Sequence, residues 1–109
     1  MGTKLKLVFG LVFLTMVEVI ATHAANAAVV VTISNFTFDP AEVKIHAGET
    51  VIFKNVDDIP HQVVADDHGF KSKALDTGDT ATFTFSTAGN FGYFCGLHPH
   101  MLGKVIVAP

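Results

Sequence analysis

From Val29 onward, apolar and polar residues alternate with a period of two in short runs, and this pattern constrains the fold more than any other feature of the chain. Val29, Val31 and Ile33 alternate with Val30, Thr32 and Ser34; Val43 and Ile45 with Lys44 and His46; Val51 and Phe53 with Ile52 and Lys54. Further runs cover His61–Ala65, Thr82–Phe85, Phe91–Cys95 and Lys104–Val107. Each is rich in β-branched and aromatic residues, which suit a half-buried pleated surface. Turn-forming pairs separate them, including Asp39-Pro40, Ala47-Gly48, Asp57-Asp58, Thr77-Gly78 and Gly89-Asn90. No segment after residue 28 carries a 3.6-residue apolar stripe. Seven or so short strands at this spacing predict an all-β, Greek-key β-sandwich.

The first residues obey a different rule. Lys4 and Lys6 precede an apolar run from Leu7 to Val17, and small residues follow, ending in Ala25-Asn26-Ala27. That layout predicts a secretory signal peptide over 1–27 and a mature domain over 28–109. Glu18 interrupts the run before it reaches the roughly 20 apolar residues needed to cross a bilayer. No stable membrane span is therefore expected after processing; the alternative is an uncleaved N-terminal anchor. The expected location is the periplasm.

At 109 residues, with a formal charge of −3 and no Lys/Arg cluster, the chain has room for one domain and no footprint for nucleic acid. A single cysteine rules out an intramolecular disulfide, so a stapled scaffold is excluded. Stability has to come from apolar area, and Phe36, Phe38, Phe53, Phe83, Phe85 and Phe91 are the expected core. The acidic residues Asp57, Asp58, Asp66, Asp67, Asp76 and Asp79 read as solvated loop charges, with a docking patch for a basic partner as the alternative.

Chemistry concentrates in Tyr93-Phe94-Cys95-Gly96-Leu97-His98-Pro99-His100-Met101. A lone cysteine at a strand end is ordinarily packing, but here an imidazole and a thioether follow in the spacing C-x2-H-x2-M. Gly96 and Pro99 make the segment a tight loop, which can turn three side chains toward one point where a continuing strand would alternate them. Cys95 is in phase with Phe91 and Tyr93, so its sulfur is expected to face inward. Thiolate and thioether are soft donors that select copper or zinc, and a His2Cys set with a weak axial Met is the pattern of a blue-copper electron-transfer site. Cys95, His98 and Met101 leave one histidine to be supplied from elsewhere. His61, opening a predicted strand after Pro60, is a better candidate than His46 or His68, and His100 reads as a surface neighbour.

These residues resemble the cupredoxin family of type 1 blue copper proteins. The resemblance runs from about Val31 to Val107. Its landmarks are Phe38-Asp39-Pro40, the segment from Ala47 to Asn55, Pro60-His61, the segment from Gly89 to Cys95, and Gly103-Lys104-Val105-Ile106-Val107. The two-residue gaps of the ligand loop are similar to those of the amicyanins, with plastocyanins and pseudoazurins as further relatives. The resemblance implies an eight-stranded sandwich, one type 1 copper per chain, and ligation by His61, Cys95, His98 and Met101. It also implies shuttling of single electrons between a redox protein donor and acceptor that dock transiently around His98, by a monomer that is not an enzyme. The alternative function is copper binding or delivery without a dedicated electron-transfer role. The chain departs from the family where many relatives carry Asn after the first ligand histidine and Ser or Thr after the cysteine: here stand Gln62 and Gly96. His100 replaces an aromatic residue usual in amicyanins.

Overall fold

The computed structural model describes residues 27–109, so the signal-peptide reading of 1–27 lies almost wholly outside the described residues. Eight strands follow in order: β1 (Ala28–Ser34), β2 (Thr37–Asp39), β3 (Glu42–His46), β4 (Glu49–Asn55), β5 (Val63–Ala65), β6 (Thr80–Phe85), β7 (Gly89–Cys95) and β8 (Leu102–Ala108). They form two four-stranded sheets, ordered β2-β1-β4-β6 and β3-β8-β7-β5. Both sheets are mixed: β1 runs parallel to β4 and β3 parallel to β8, while the other pairs are antiparallel. Among the described residues no helix is long and apolar enough to cross a membrane.

The alternation places one face of each strand inside. Val31 and Ile33 of β1, Val51 and Phe53 of β4, Tyr93 and Cys95 of β7 and Val105 of β8 are each at most 1% exposed. Phe38, Phe53 and Tyr93 meet edge to face at centroid separations of 4.8–6.3 Å and bridge the two sheets. Such rings prefer this arrangement, and burying each side chain of this size contributes about 1.5–3 kcal/mol. Gly103 lies opposite Tyr93 in the ladder, and a Cβ there would run into the phenol ring.

The eight strands implied by the resemblance are present; β2 is the one that alternation alone does not reveal, because it holds only Thr37-Phe38-Asp39. Two local expectations are corrected. His61 does not open a strand; it forms an isolated bridge with Leu75, and β5 begins two residues later. Phe36, expected in the core, is 53% exposed. It occupies the two-residue turn between β1 and β2, where Asn35 and Phe36 both have positive φ (54° and 57°). A type I′ hairpin requires that conformation at both central residues and favours Asn-Gly. The other five phenylalanines do pack on the core, Phe83 and Phe91 only in part.

Candidate metal centre

The centre lies at the end of the sandwich where β7 passes to β8. Cys95 ends β7 opposite Val63, and β8 begins at Leu102. The connection between them is two successive turns, closed by His98 N–H to Cys95 C=O (3.1 Å) and Met101 N–H to His98 C=O (3.0 Å). Each turn advances three residues, which is the ligand spacing itself, so residues 95, 98 and 101 recur at equivalent places. The Cys95 N–H donates to Met101 C=O (3.1 Å) and cinches the loop.

His61 reaches the same end from a second direction. Its backbone is paired both ways with Leu75, N–H to C=O at 3.1 Å and the return bond at 2.7 Å. The buried Asn55, at the end of β4, organises this approach. Its amide donates to Ile59 C=O (2.9 Å) and Leu75 C=O (2.8 Å), and its Oδ1 accepts the Asp57 N–H (2.9 Å).

Three donor side chains thereby converge. The ligand atoms of His61, Cys95 and His98 all lie within 4.8 Å of one another. Cys95 Sγ is 3.6 Å from His61 Nδ1 and 3.7 Å from His98 Nδ1. Those separations suit a shared ion: donors about 2.0 Å (nitrogen) and 2.3 Å (sulfur) from one metal, held at trigonal to tetrahedral angles, lie about 3.6 Å apart. His61 and Cys95 are wholly buried, His98 is half-buried, and Met101 is 7% exposed. Of the histidines considered, His46, His68 and His100 are exposed and stand outside this cluster.

Asp57 is the residue that sequence reasoning missed. Read as a solvated loop charge, its side chain is only 13% exposed, and Oδ2 lies 2.7 Å from His61 Nε2. The same carboxylate accepts the N–H groups of Phe36 (3.0 Å) and Asn35. The Phe36 hydrogen bond leads in holding its pKa below the usual 3.8, against an opposing effect of desolvation. An ionised carboxylate only accepts, so His61 donates from Nε2, which in the neutral ring leaves the Nδ1 lone pair facing Cys95. The one available signal was its position four residues before His61.

The departures at Gln62 and Gly96 form a matched pair. The Gln62 amide donates to Ser72 C=O (2.8 Å), and its oxygen fills the space where a Cβ on Gly96 would stand. The Gly96 N–H donates to Gln62 C=O (3.2 Å), and the Gln62 N–H points at Cys95 Sγ (3.4 Å). The two loops are therefore braced, through a long side chain above a glycine. Phe36 completes the surround, its ring edge-on to both His61 (5.6 Å) and His98 (5.1 Å).

This constellation defines a soft-donor metal centre at one end of a Greek-key sandwich. The chain belongs to the Cupredoxin-like domain family, which it matches over residues 6–107. That family's small blue copper members carry electrons with one copper per domain. Amicyanin of Paracoccus versutus is 37% identical over 94 residues, spanning 82% of this chain and 71% of the relative. Its crystal structure superposes with a TM-score of 0.69 at 41% identity, covering 73% of this chain and 80% of that one. The chloroplastic plastocyanin of Tetradesmus obliquus is 36% identical over 101 residues, 81% of this chain and 70% of the relative. A copper-containing nitrite reductase from Thermus scotoductus superposes with a TM-score of 0.71 at 29% identity, covering 76% of this chain, which spans only 23% of the reductase.

Proposed function

We propose that this protein is a periplasmic type 1 copper electron carrier in which His61, Cys95, His98 and Met101 would hold the copper. The observation that carries the reading is the convergence of one sulfur and two imidazole nitrogens at 3.6–3.7 Å, in a cluster whose Cys95 and His61 are sealed from solvent. Bound copper supplies a one-electron couple between Cu(II) and Cu(I), and soft sulfur with imidazole suits both states.

The chain's own residues do the rest. Asp57 fixes the His61 tautomer and ring orientation, Gln62 and Gly96 brace the cysteine loop, and the bridge to Leu75 ties His61 to the sandwich. A donor set held in braced loops against a close-packed sandwich would keep nearly one geometry in both oxidation states. His98 is the half-buried imidazole, flanked in sequence by the exposed Leu97, Pro99 and His100. It is the face offered to donor and acceptor proteins, whose docking is weak and transient, as suits small redox interfaces. The protein acts as a monomer and catalyses no reaction of its own. Burial of two donors also opposes the ready release that a copper-delivery protein needs. Residues 1–27 act as the export signal.

Visible absorption and electron paramagnetic resonance of the copper-loaded protein test the assignment. The expected result is an intense thiolate-to-copper band with narrow copper hyperfine splitting, both lost in Cys95→Ser. Copper-loaded wild type that remains colourless refutes it. Wild-type rates of electron exchange in His98→Gly refute the docking face.

A further inference from the structure

The two imidazoles of the centre are held in different ways. His61 is anchored by the Asp57 carboxylate at Nε2. Among the described residues the His98 ring has no such hydrogen bond; besides its approach to Cys95, it meets the rings of Phe36 (5.1 Å, 90°) and His61 (5.1 Å, 58°). We infer that Phe36 is a positioning residue for the copper site, a ring laid across both imidazoles that does for His98 what Asp57 does for His61. The inference deepens the copper reading and rests on it.

The local backbone gives an independent reason to look for a function. Phe36 sits at the second central position of a two-residue hairpin turn, with φ 57°. That conformation favours glycine, and a bulky residue there is strained. Strain of this kind persists where surrounding structure enforces it, and it collects at functional sites. The core does not enforce it, because the ring is 53% exposed. The enforcement comes from Asp57, whose carboxylate accepts both N–H groups of the turn while Oδ2 also holds His61. One carboxylate thus sets the first imidazole directly and the second through an aromatic ring. Edge-to-face contact confines ring rotation without a hydrogen bond, which suits an imidazole whose outer edge must stay open to a partner.

The test compares copper-loaded wild type with Phe36→Gly and Phe36→Tyr, using electron paramagnetic resonance, reduction potential and electron self-exchange rate, alongside thermal unfolding of the metal-free proteins. Phe36→Gly gives the turn the residue it favours, so the metal-free fold should be as stable as wild type or more so. The copper hyperfine splitting and the potential should nevertheless shift. Self-exchange should slow roughly tenfold, the lower end of what losing a contact behind a metal ligand costs. Phe36→Tyr, which keeps the ring, should restore all three. A Phe36→Gly protein whose splitting and potential match wild type overturns the inference, whether or not self-exchange slows, because a slower rate alone marks only a docking contact. A clear loss of metal-free stability in Phe36→Gly, or no restoration by Phe36→Tyr, overturns it as well. If wild type itself fails to turn blue, the copper assignment falls and takes this inference with it; a blue wild type with an indistinguishable Phe36→Gly refutes the inference alone.

Discussion

Gly96→Ala is the substitution whose outcome the packing around the cysteine loop most sharply specifies. Gly96 does not need its backbone freedom, since it is not among the positive-φ glycines, so a methyl group should by itself stabilise the chain by about 0.5 kcal/mol through the unfolded state. The space is taken, however. A Cβ at Gly96 overlaps the Gln62 amide oxygen and lies 3.1 Å from Val64 Cγ2. The amide can swing away only by giving up its bond to Ser72 C=O, worth about 1 kcal/mol, and pressing on Val64 adds about 1 kcal/mol more. The net expectation is a loss of about 1.5 kcal/mol, or roughly 6–12 °C in Tm for a domain of this size. Gln62→Ala alone should cost about 1 kcal/mol, the same hydrogen bond. Once that side chain is gone only the Val64 contact remains, so the double variant should lie within about 0.5 kcal/mol of Gln62→Ala. Urea unfolding of the metal-free proteins measures all three, and the cycle should show a favourable coupling of about 1 kcal/mol or more. Additivity within about 0.5 kcal/mol refutes the reasoning, for it would mean that Gln62 and Gly96 do not share that space.

Other outcomes follow from single residues. Asn55→Ala removes three hydrogen bonds from a fully buried position and strands the groups they satisfied, so it should cost about 3 kcal/mol and weaken copper retention, measured by unfolding and by competition with a chelator. Tyr93→Phe removes a buried hydroxyl that has no partner among the described residues and should raise stability by about 1 kcal/mol. The same burial pushes the Tyr93 phenol well above its ordinary 10.0. Folding stability therefore falls as the pH climbs past 10, because only the unfolded chain ionises there. Tyr93 is the chain's single tyrosine, so phenolate absorbance should appear in one cooperative step together with unfolding; reversible ionisation near pH 10 in folded protein contradicts this.

What the sequence discloses follows the range of the interactions involved. The strands are legible because alternation is a local property, and the loop histidine is legible because each turn closes within three residues, as His98 and Met101 do. His61 is recognisable as a donor, but the bridge that holds it comes from Leu75, fourteen residues away in a loop with no pattern of its own. Phe36 misleads because a turn that favours Asn-Gly carries Asn-Phe, and nothing nearby announces the exception. Asp57 looks like any loop acid until the β1–β2 turn is folded over it. Gln62 and Gly96 read as two separate oddities, and only three-dimensional contact shows that the size of one matches the absence of the other.

Cys95 is the chain's one cysteine and is wholly enclosed. A solitary thiol on a protein surface is open to oxidants and to pairing with a thiol on another molecule. Here the sulfur is out of reach of both, since Cys95 is wholly buried where β7 meets the His61 segment. The fold is therefore also a sheath around the chain's one thiol.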